Sequence, residues 1–143
     1  MGALDNLFSG MRIASSALTA GRTHIDTIAE NIANARTTRS AEGGAYRRKQ
    51  VLFEPILDET LGREGQIKGV QVSEILGDHT TPFTRVREPE HPDADEEGFV
   101  EYPNVNTVIE MADLVSAMRA YESNVAAQEN FVRMAERALR LAQ

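Results

Sequence analysis

The feature that most constrains this 143-residue chain is a seven-residue apolar repeat at each end of the sequence. In the first repeat a second row follows three positions after the first, and every member of both rows is apolar or small. A repeat sustained in this way is typical of a helix whose narrow apolar stripe packs on another helix. The two rows are Leu4, Met11, Leu18, Ile25 and Ile32, and then Leu7, Ala14, Gly21, Ile28 and Ala35.

The repeat that ends the chain has the same two-row form, with Gln128 as its one polar member. Its helix is predicted to begin after Pro103, and the spacing of Thr107 and Glu110 predicts a capping box, in which each residue satisfies the other's free backbone N–H. We therefore expect the two terminal helices to share one seam. The rows of the second helix are Met111, Met118, Val125, Val132 and Leu139, and then Leu114, Tyr121, Gln128, Ala135 and Ala142.

The middle of the chain has a different composition from its ends. Residues 51–100 hold four of the five prolines and half of the ten glycines, which indicates turns and short strands, expected at 46–53, 70–76 and 83–86. Since the chain must return from this middle part, the helices should pair antiparallel. The predicted fold is mainly α with a small β module, in which an antiparallel coiled coil of residues 1–36 and 107–143 carries a loop- and strand-rich middle at 37–106.

Composition excludes several classes of function. The chain has 15 basic and 22 acidic residues and a net charge of −7, which disfavours binding to duplex nucleic acid. It has no cysteine, so thiol nucleophiles, disulfides and zinc–thiolate sites are absent. No apolar run reaches the roughly 20 residues of a membrane span, and the N-terminus lacks the pattern of a cleaved secretory signal. We expect no direct membrane insertion.

Two segments invite a binding-site interpretation and fail it. The acidic run Asp93–Gly98 begins like a calcium loop, but the twelfth position, which needs glutamate, is Asn104. The Gly43–Gly44 pair precedes basic residues without the spacing of a phosphate-binding loop. The three histidines are far apart in sequence, so the chain is predicted to have no catalytic, cofactor-binding or metal site.

Four segments together point to one family. The run Asn31-Ile32-Ala33-Asn34 resembles the signature of the axial rod and hook proteins of the bacterial flagellum. Arg36 departs from the usual Asn, and Glu122-Ser123 stands where Gln-Ala is common. The other matching segments are residues 42–49, residues 119–125 and the block from 91 to 106, which contains Tyr102, Pro103, Asn104 and Asn106.

This resemblance implies a non-enzymatic structural subunit of the proximal rod, which polymerises through its terminal helices around the export channel and transmits torque. Its implied location is the periplasmic rod of the basal body, reached through the flagellar type III export apparatus without cleavage of a signal peptide. Its implied partners are further copies of itself, the rod proteins FlgB, FlgF and FlgG, and the basal-body protein FliE. No cofactor is implied.

Two alternatives stay open at the level of sequence. The chain is also compatible with another rod subunit such as FlgB, or with a coiled-coil adaptor that pairs with one partner and does not polymerise. Light scattering separates these classes, since an adaptor stops at a small defined oligomer. An enzyme is disfavoured because no nucleophile shares a helix face with a titratable pair.

Overall fold

The computed structural model describes the backbone of residues 2–57 and 67–141 and the side chains of residues 8–57 and 67–140. Within these residues, two long helices precede and follow four strands in chain order. The elements are α1 Gly2–Ala33, β1 Lys49–Leu57, β2 Ile67–Gly77, β3 Thr84–Arg87, β4 Phe99–Tyr102 and α2 Thr107–Leu141.

The terminal helices pack antiparallel along their length. At one end Asn31 Nδ2 donates to Glu110 Oε2 over 3.0 Å, and near the other end Gly10 faces the ring of Phe131. Gly10 precedes Asn31 by 21 residues, and Phe131 follows Glu110 by 21 residues, so the register is constant over three heptads. The predicted fold class, with paired terminal helices and small sheets between them, is confirmed.

On α2, the face that packs on α1 is rotated relative to the predicted seam. The predicted row that contains Leu114 and Tyr121 is partly buried, as expected. The second row of the packed face is not the predicted Met111 row, but the row that lies one residue before it. That second row is Glu110, Ala117, Asn124, Phe131 and Ala138. The predicted Met111 row itself lies on the flank of the helix pair. Its members Met111, Met118, Val132 and Leu139 are exposed, and Val125 is partly buried.

The same rotation occurs on α1. Ala14 and Ile28 of one predicted row are buried, whereas Met11, Leu18, Ile25 and Ile32 of the other are only half-buried. The facing residues Gly10 and Asn31 belong to the row one position before this half-buried row. The side chains of Leu4, Leu7 and Ala142, which the sequence also assigns to the seam, lie outside the described residues.

The β1–β2 hairpin lies along α1 on the side opposite this half-buried row. The backbone N–H of Val70 donates to Ser16 Oγ over 3.1 Å, and the rings of His24 and Phe53 meet edge to face with centroids 5.5 Å apart. A methyl group on Gly69 would lie 2.4 Å from Ser16 Oγ, so the hairpin approaches the helix closely at that point. The hairpin therefore packs on α1, since a two-stranded sheet alone is marginally stable.

Each predicted strand differs from its expected range, and β2, Ile67–Gly77, begins three residues earlier and ends one residue later than expected. β1 begins at Lys49 and continues through Pro55, which pairs with Val70; a two-stranded sheet consists of edge strands, where proline is tolerated. β3 occupies 84–87, one residue later than expected at its end. β4, Phe99–Tyr102, pairs antiparallel with β3 and was not predicted.

Gln128 lies in the packed face of α2, and its Oε1 is buried without a hydrogen-bond partner among the described residues. Leaving a buried acceptor unpaired costs about 1–3 kcal/mol. We expect Gln128→Leu to raise the free energy of unfolding by that amount, measured by guanidinium denaturation. The control Glu129→Leu, at an exposed neighbouring position, should change it by less than about 0.5 kcal/mol; equal effects of the two variants would contradict the assignment.

Candidate functional site: a polar junction and an outer helix face

Asn31 is the centre of a buried polar cluster at the end of the helix pair. Its side chain is 1% exposed. The amide pairs with the backbone of Lys49 like a neighbouring strand, since Nδ2 donates to the carbonyl and Oδ1 accepts from the N–H, both over 2.9 Å. Oδ1 also accepts from Tyr46 Oη over 2.9 Å. Asn31 thus fixes the start of β1 against the last turns of α1.

Glu110 brings α2 into the same cluster. It is 1% exposed, and its carboxylate accepts from Arg48 Nε over 2.6 Å and from the Asn31 amide. The predicted capping box is therefore wrong: the Glu110 side chain pairs with Arg48, and Asn106 Oδ1 caps α2 by accepting from the N–H groups two and three residues later. We call Asn31, Tyr46, Arg48 and Glu110 the polar junction.

Asn104 extends the junction to the loop after β2. Its Oδ1 accepts from the Arg48 N–H over 2.8 Å, and its Nδ2 donates to the carbonyls of Asp78 and Thr81 over 3.0 and 3.1 Å. Hydrogen bonds from the hydroxyl and N–H groups of Thr80 and Thr81 hold the pKa of the Asp78 carboxyl well below its usual range. The loop is thereby held in one shape, with Asn104 as its link to β1.

Asn34 has a local role at the exit of α1. Its side-chain amide donates to the carbonyl of Glu30 over 2.9 Å, and its Oδ1 accepts from the Thr37 hydroxyl over 3.1 Å. The Thr37 carbonyl then accepts from the N–H of Tyr46. Asn34 therefore shapes the turn that ends α1 at Ala33 and returns the chain to the polar junction.

Tyr46 reports on this environment by its titration. Burial, together with the negative charges of Glu30 and Glu110, raises the pKa of its phenol to about 12 from 10.0. Because the pKa is raised in the folded state, the folded chain holds the proton more tightly than the unfolded chain does. This contribution to stability is complete below pH 10 and is lost as the pH rises towards 12.

We expect the free energy of unfolding to fall between about pH 10 and pH 12. We also expect the absorbance at 295 nm to show that the Tyr46 phenol ionises at about pH 12. In Tyr46→Phe this late titration should be lost, which assigns it to Tyr46. Ionisation of Tyr46 near pH 10 in the folded chain would contradict a buried, hydrogen-bonded phenol.

The acidic run forms the turn between β3 and β4. Asp95 Oδ1 accepts from the N–H groups of Phe99 and Glu97, and these bonds together with Arg85 lower the pKa of its carboxyl. Asp93 accepts from the Thr38 hydroxyl over 2.8 Å. Its two aspartates are thus hydrogen-bonded to protein groups. Across the described residues, no three His, Asp or Glu side chains converge in a way that suits a metal ion.

The remaining motif residues also have structural roles. Tyr102 Oη donates to Glu88 over 3.0 Å, and Pro103 is buried between β4 and α2. Gly43 and Gly44 have φ values of 90° and 74°, which only glycine adopts without strain. The Gly43–Gly44 pair thus makes a tight turn.

The second feature with functional potential is the exposed flank of the helix pair. In an antiparallel pair, rows at the same heptad position lie on the same side of both helices. The half-buried row of α1 and the exposed row of α2 therefore lie side by side, away from the hairpin. We call this surface the outer face; its members are Met11, Leu18, Ile25 and Ile32 of α1 and Met111, Met118, Val125, Val132 and Leu139 of α2.

The outer face is most apolar near the polar junction. Val108, Ile109 and Val115 are exposed beside Met111 and Met118. Further along α2 the neighbouring row is Glu122, Glu129 and Glu136. Exposed apolar patches of several hundred Å² mark protein interaction sites, so this half of α2 has the character of a protein contact.

Sequence reasoning found Asn31, Asn34 and Asn104 only through the family signature and did not find Arg48 or the role of Glu110. The one signal was a buried position: Glu110 occupies a heptad row that packs on α1, where a carboxylate needs a partner.

Neither helix, within the part of the chain described, is long and apolar enough for a bilayer crossing.

Comparison with known proteins gives a consistent result. Residues 11–39 match the family model for the flagella basal body rod protein, and residues 96–141 match the model for the C-terminal part of the flagellar basal body rod FlgEFG proteins. The flagellar basal-body rod protein FlgC of Borreliella burgdorferi is 42% identical over 131 residues, covering 82% of this chain and 86% of that protein. FlgC of Bacillus subtilis is 39% identical over 94% of this chain and 97% of its own length, and FlgC of Salmonella typhimurium is 38% identical over 86% of each.

Proposed function

The chain belongs to the FlgC family of flagellar basal-body rod proteins, and on that premise we propose that its outer face is the surface through which it joins neighbouring subunits in the proximal rod. It is a structural, non-enzymatic protein of the basal body. The single observation that supports the proposal is the row from Met111 to Leu139, a full apolar heptad repeat that is exposed at four of its five positions.

The physical argument concerns what a polymer subunit must expose. A subunit of a helical assembly must leave apolar surface exposed after its own chain has folded. In such an assembly this surface contacts a different surface of the neighbouring subunit. Met118 is 46% exposed and Leu139 is 64% exposed in the folded chain. A helix pair whose packed face included this row would cover both side chains. Burial of these side chains in the rod supplies the free energy of assembly.

The polar junction has the complementary role in this proposal. A rod that transmits torque needs a fixed angle between its helical core and the parts outside it. The Glu110–Arg48 pair and the Asn31 bridge to Lys49 connect α1, α2 and β1 at one point. Buried, hydrogen-bonded networks of this kind are rigid, so the junction holds the middle segment in a constant orientation to the helix pair.

In this proposal the two ends of the chain and its middle have different roles. Residues 1–36 and 107–143 form the inner coiled-coil domain, and residues 37–106 form the outer module. The partners are other copies of the chain and the neighbouring rod proteins FlgB, FlgF and FlgG, with FliE at the base. Export proceeds through the flagellar type III apparatus without cleavage of a signal, and the assembled subunit lies in the periplasm.

Deletion of the gene in the bacterium that encodes the chain, followed by complementation, tests this function. Deletion should abolish swimming and remove the rod from isolated basal bodies, and the intact chain should restore both and co-purify with them. Complete basal bodies without the chain would contradict the proposal. If the chain were an adaptor, it would form a small oligomer of fixed size by light scattering and would be missing from purified rods.

A further inference from the structure

The register of the helix pair is a problem that its heptad rows do not solve. A slip of seven residues returns apolar and small residues to apolar and small positions along most of the seam, because both helices repeat with that period. Ala14 and Ala17 of α1 and Ala117, Ala135 and Ala138 of α2 make several layers of the seam nearly equivalent. Something other than hydropathy must therefore select one register.

At the polar junction the selection is chemical. Asn31 and Glu110 are hydrogen-bonded across the seam over 3.0 Å, and each has further partners in β1 or its preceding residues. A slip of one heptad removes Glu110 from Arg48 and buries its charge without a partner. This contact fixes one end of the pair, but Gly10 lies about 30 Å from it along α1.

Near the opposite end of the pair, the selection is steric. A methyl group on Gly10 would lie 2.6 Å from Cε1 and Cζ of Phe131, so the ring occupies the space that a side chain would fill. After a slip of one heptad, Phe131 would face Ala17, whose Cβ fills that space. Gly21 is different, because a methyl group there would lie 3.5 Å from Tyr121, an ordinary contact.

We propose that Gly10 and Phe131 form a steric register lock, three heptads from the polar junction on both helices, which selects one register of the terminal helix pair. The lock keeps the α1 and α2 rows of the outer face side by side over their whole length. A slipped pair would offset the two rows by about 10 Å, and a neighbouring subunit would meet a broken surface. This last consequence rests on the proposed function, whereas the register itself does not.

The absence of cysteine makes the register directly measurable. The pair Ala17→Cys and Asn124→Cys has the same offset as Gly10 with Phe131 and reports the native register. The pair His24→Cys and Asn124→Cys reports the slip of one heptad that would place Phe131 opposite Ala17. Each pair is placed in the full-length chain and oxidised, both as purified protein and in isolated basal bodies, and the disulfide yields are compared.

With glycine at position 10 the native disulfide should dominate. Gly10→Ala should lower the ratio of native to slipped disulfide by about tenfold, since overpacking of a seam has that scale, and a second substitution, Phe131→Ala, should restore the ratio. The matched control Gly21→Ala should leave it unchanged. The proposal is overturned if Gly10→Ala behaves like Gly21→Ala, if Phe131→Ala gives no rescue, or if neither disulfide forms in either sample.

Discussion

Replacement of Met118 by aspartate should abolish swimming and rod assembly while leaving the fold of the chain intact. Met118 lies on the outer face and is 46% exposed, so the substitution should change the free energy of unfolding of the isolated chain by less than about 1 kcal/mol. In the rod, the same carboxylate would be buried without a partner at every contact between subunits, at a cost of several kcal/mol each. Because each 1.4 kcal/mol is a factor of ten in affinity, assembly should fail.

The matched control is Ala126→Asp, an exposed position on the same helix in the row that contains Arg119 and Arg133. It adds the same charge outside the outer face, and its helix-propensity cost is at least as large, because alanine is the better helix former. Cells with Ala126→Asp should swim, and both variants should be detected in the culture medium or periplasm as exported protein. Normal swimming of Met118→Asp cells would show that this side chain faces water in the rod.

The second large effect is expected at the polar junction. Arg48→Met leaves the Glu110 carboxylate, which is 1% exposed, with the Asn31 amide as its one remaining partner among the described side chains. Removal of one member of a buried ion pair costs about 3–5 kcal/mol, because the remaining charge is uncompensated. Guanidinium denaturation, with helix content followed by circular dichroism, should show a loss of that size.

Two comparisons make this result specific to the pair. Arg39→Met removes an ion pair with Asp93 in which the arginine side chain is 78% exposed, and exposed pairs contribute at most about 1 kcal/mol. The double variant Arg48→Met with Glu110→Met replaces the pair by apolar groups and should recover much of the lost stability. If the double variant is as unstable as the two single changes combined, the buried charge is not the cause.

The helices were predictable because their heptad rows extend over more than 30 residues, and the antiparallel pairing followed from the return of the chain. The side of each helix that packs inward was not. Ala117 of the packed row and Met118 of the outer face are adjacent in sequence and both apolar. Hydropathy alone therefore favours neither row as the packed one. The choice is made by shape, because Gly10 accepts the Phe131 ring and small residues let the helices approach closely.

The junction shows a different limit of sequence reasoning. Asn106 and Thr107 are adjacent and both are common N-caps, and Glu110 has the correct spacing for a capping box with Thr107. The Glu110 carboxylate instead pairs with Arg48, 62 positions away in sequence. A local pattern carries no information on such a partner, so the cap and the centre of the polar junction could not be identified together.

Cysteine labelling at the outer face tests the central claim most directly. A single cysteine is placed at Met118, and a second chain carries one at Glu96, in the exposed turn of the middle segment. The labelling rate with a maleimide reagent is measured for the purified chain and for isolated basal bodies. The account predicts that Met118→Cys reacts readily in the purified chain and at least tenfold more slowly in the rod, whereas Glu96→Cys reacts in both. Equal reactivity of Met118→Cys in the rod and in the purified chain would contradict the assignment of the outer face as the contact between subunits.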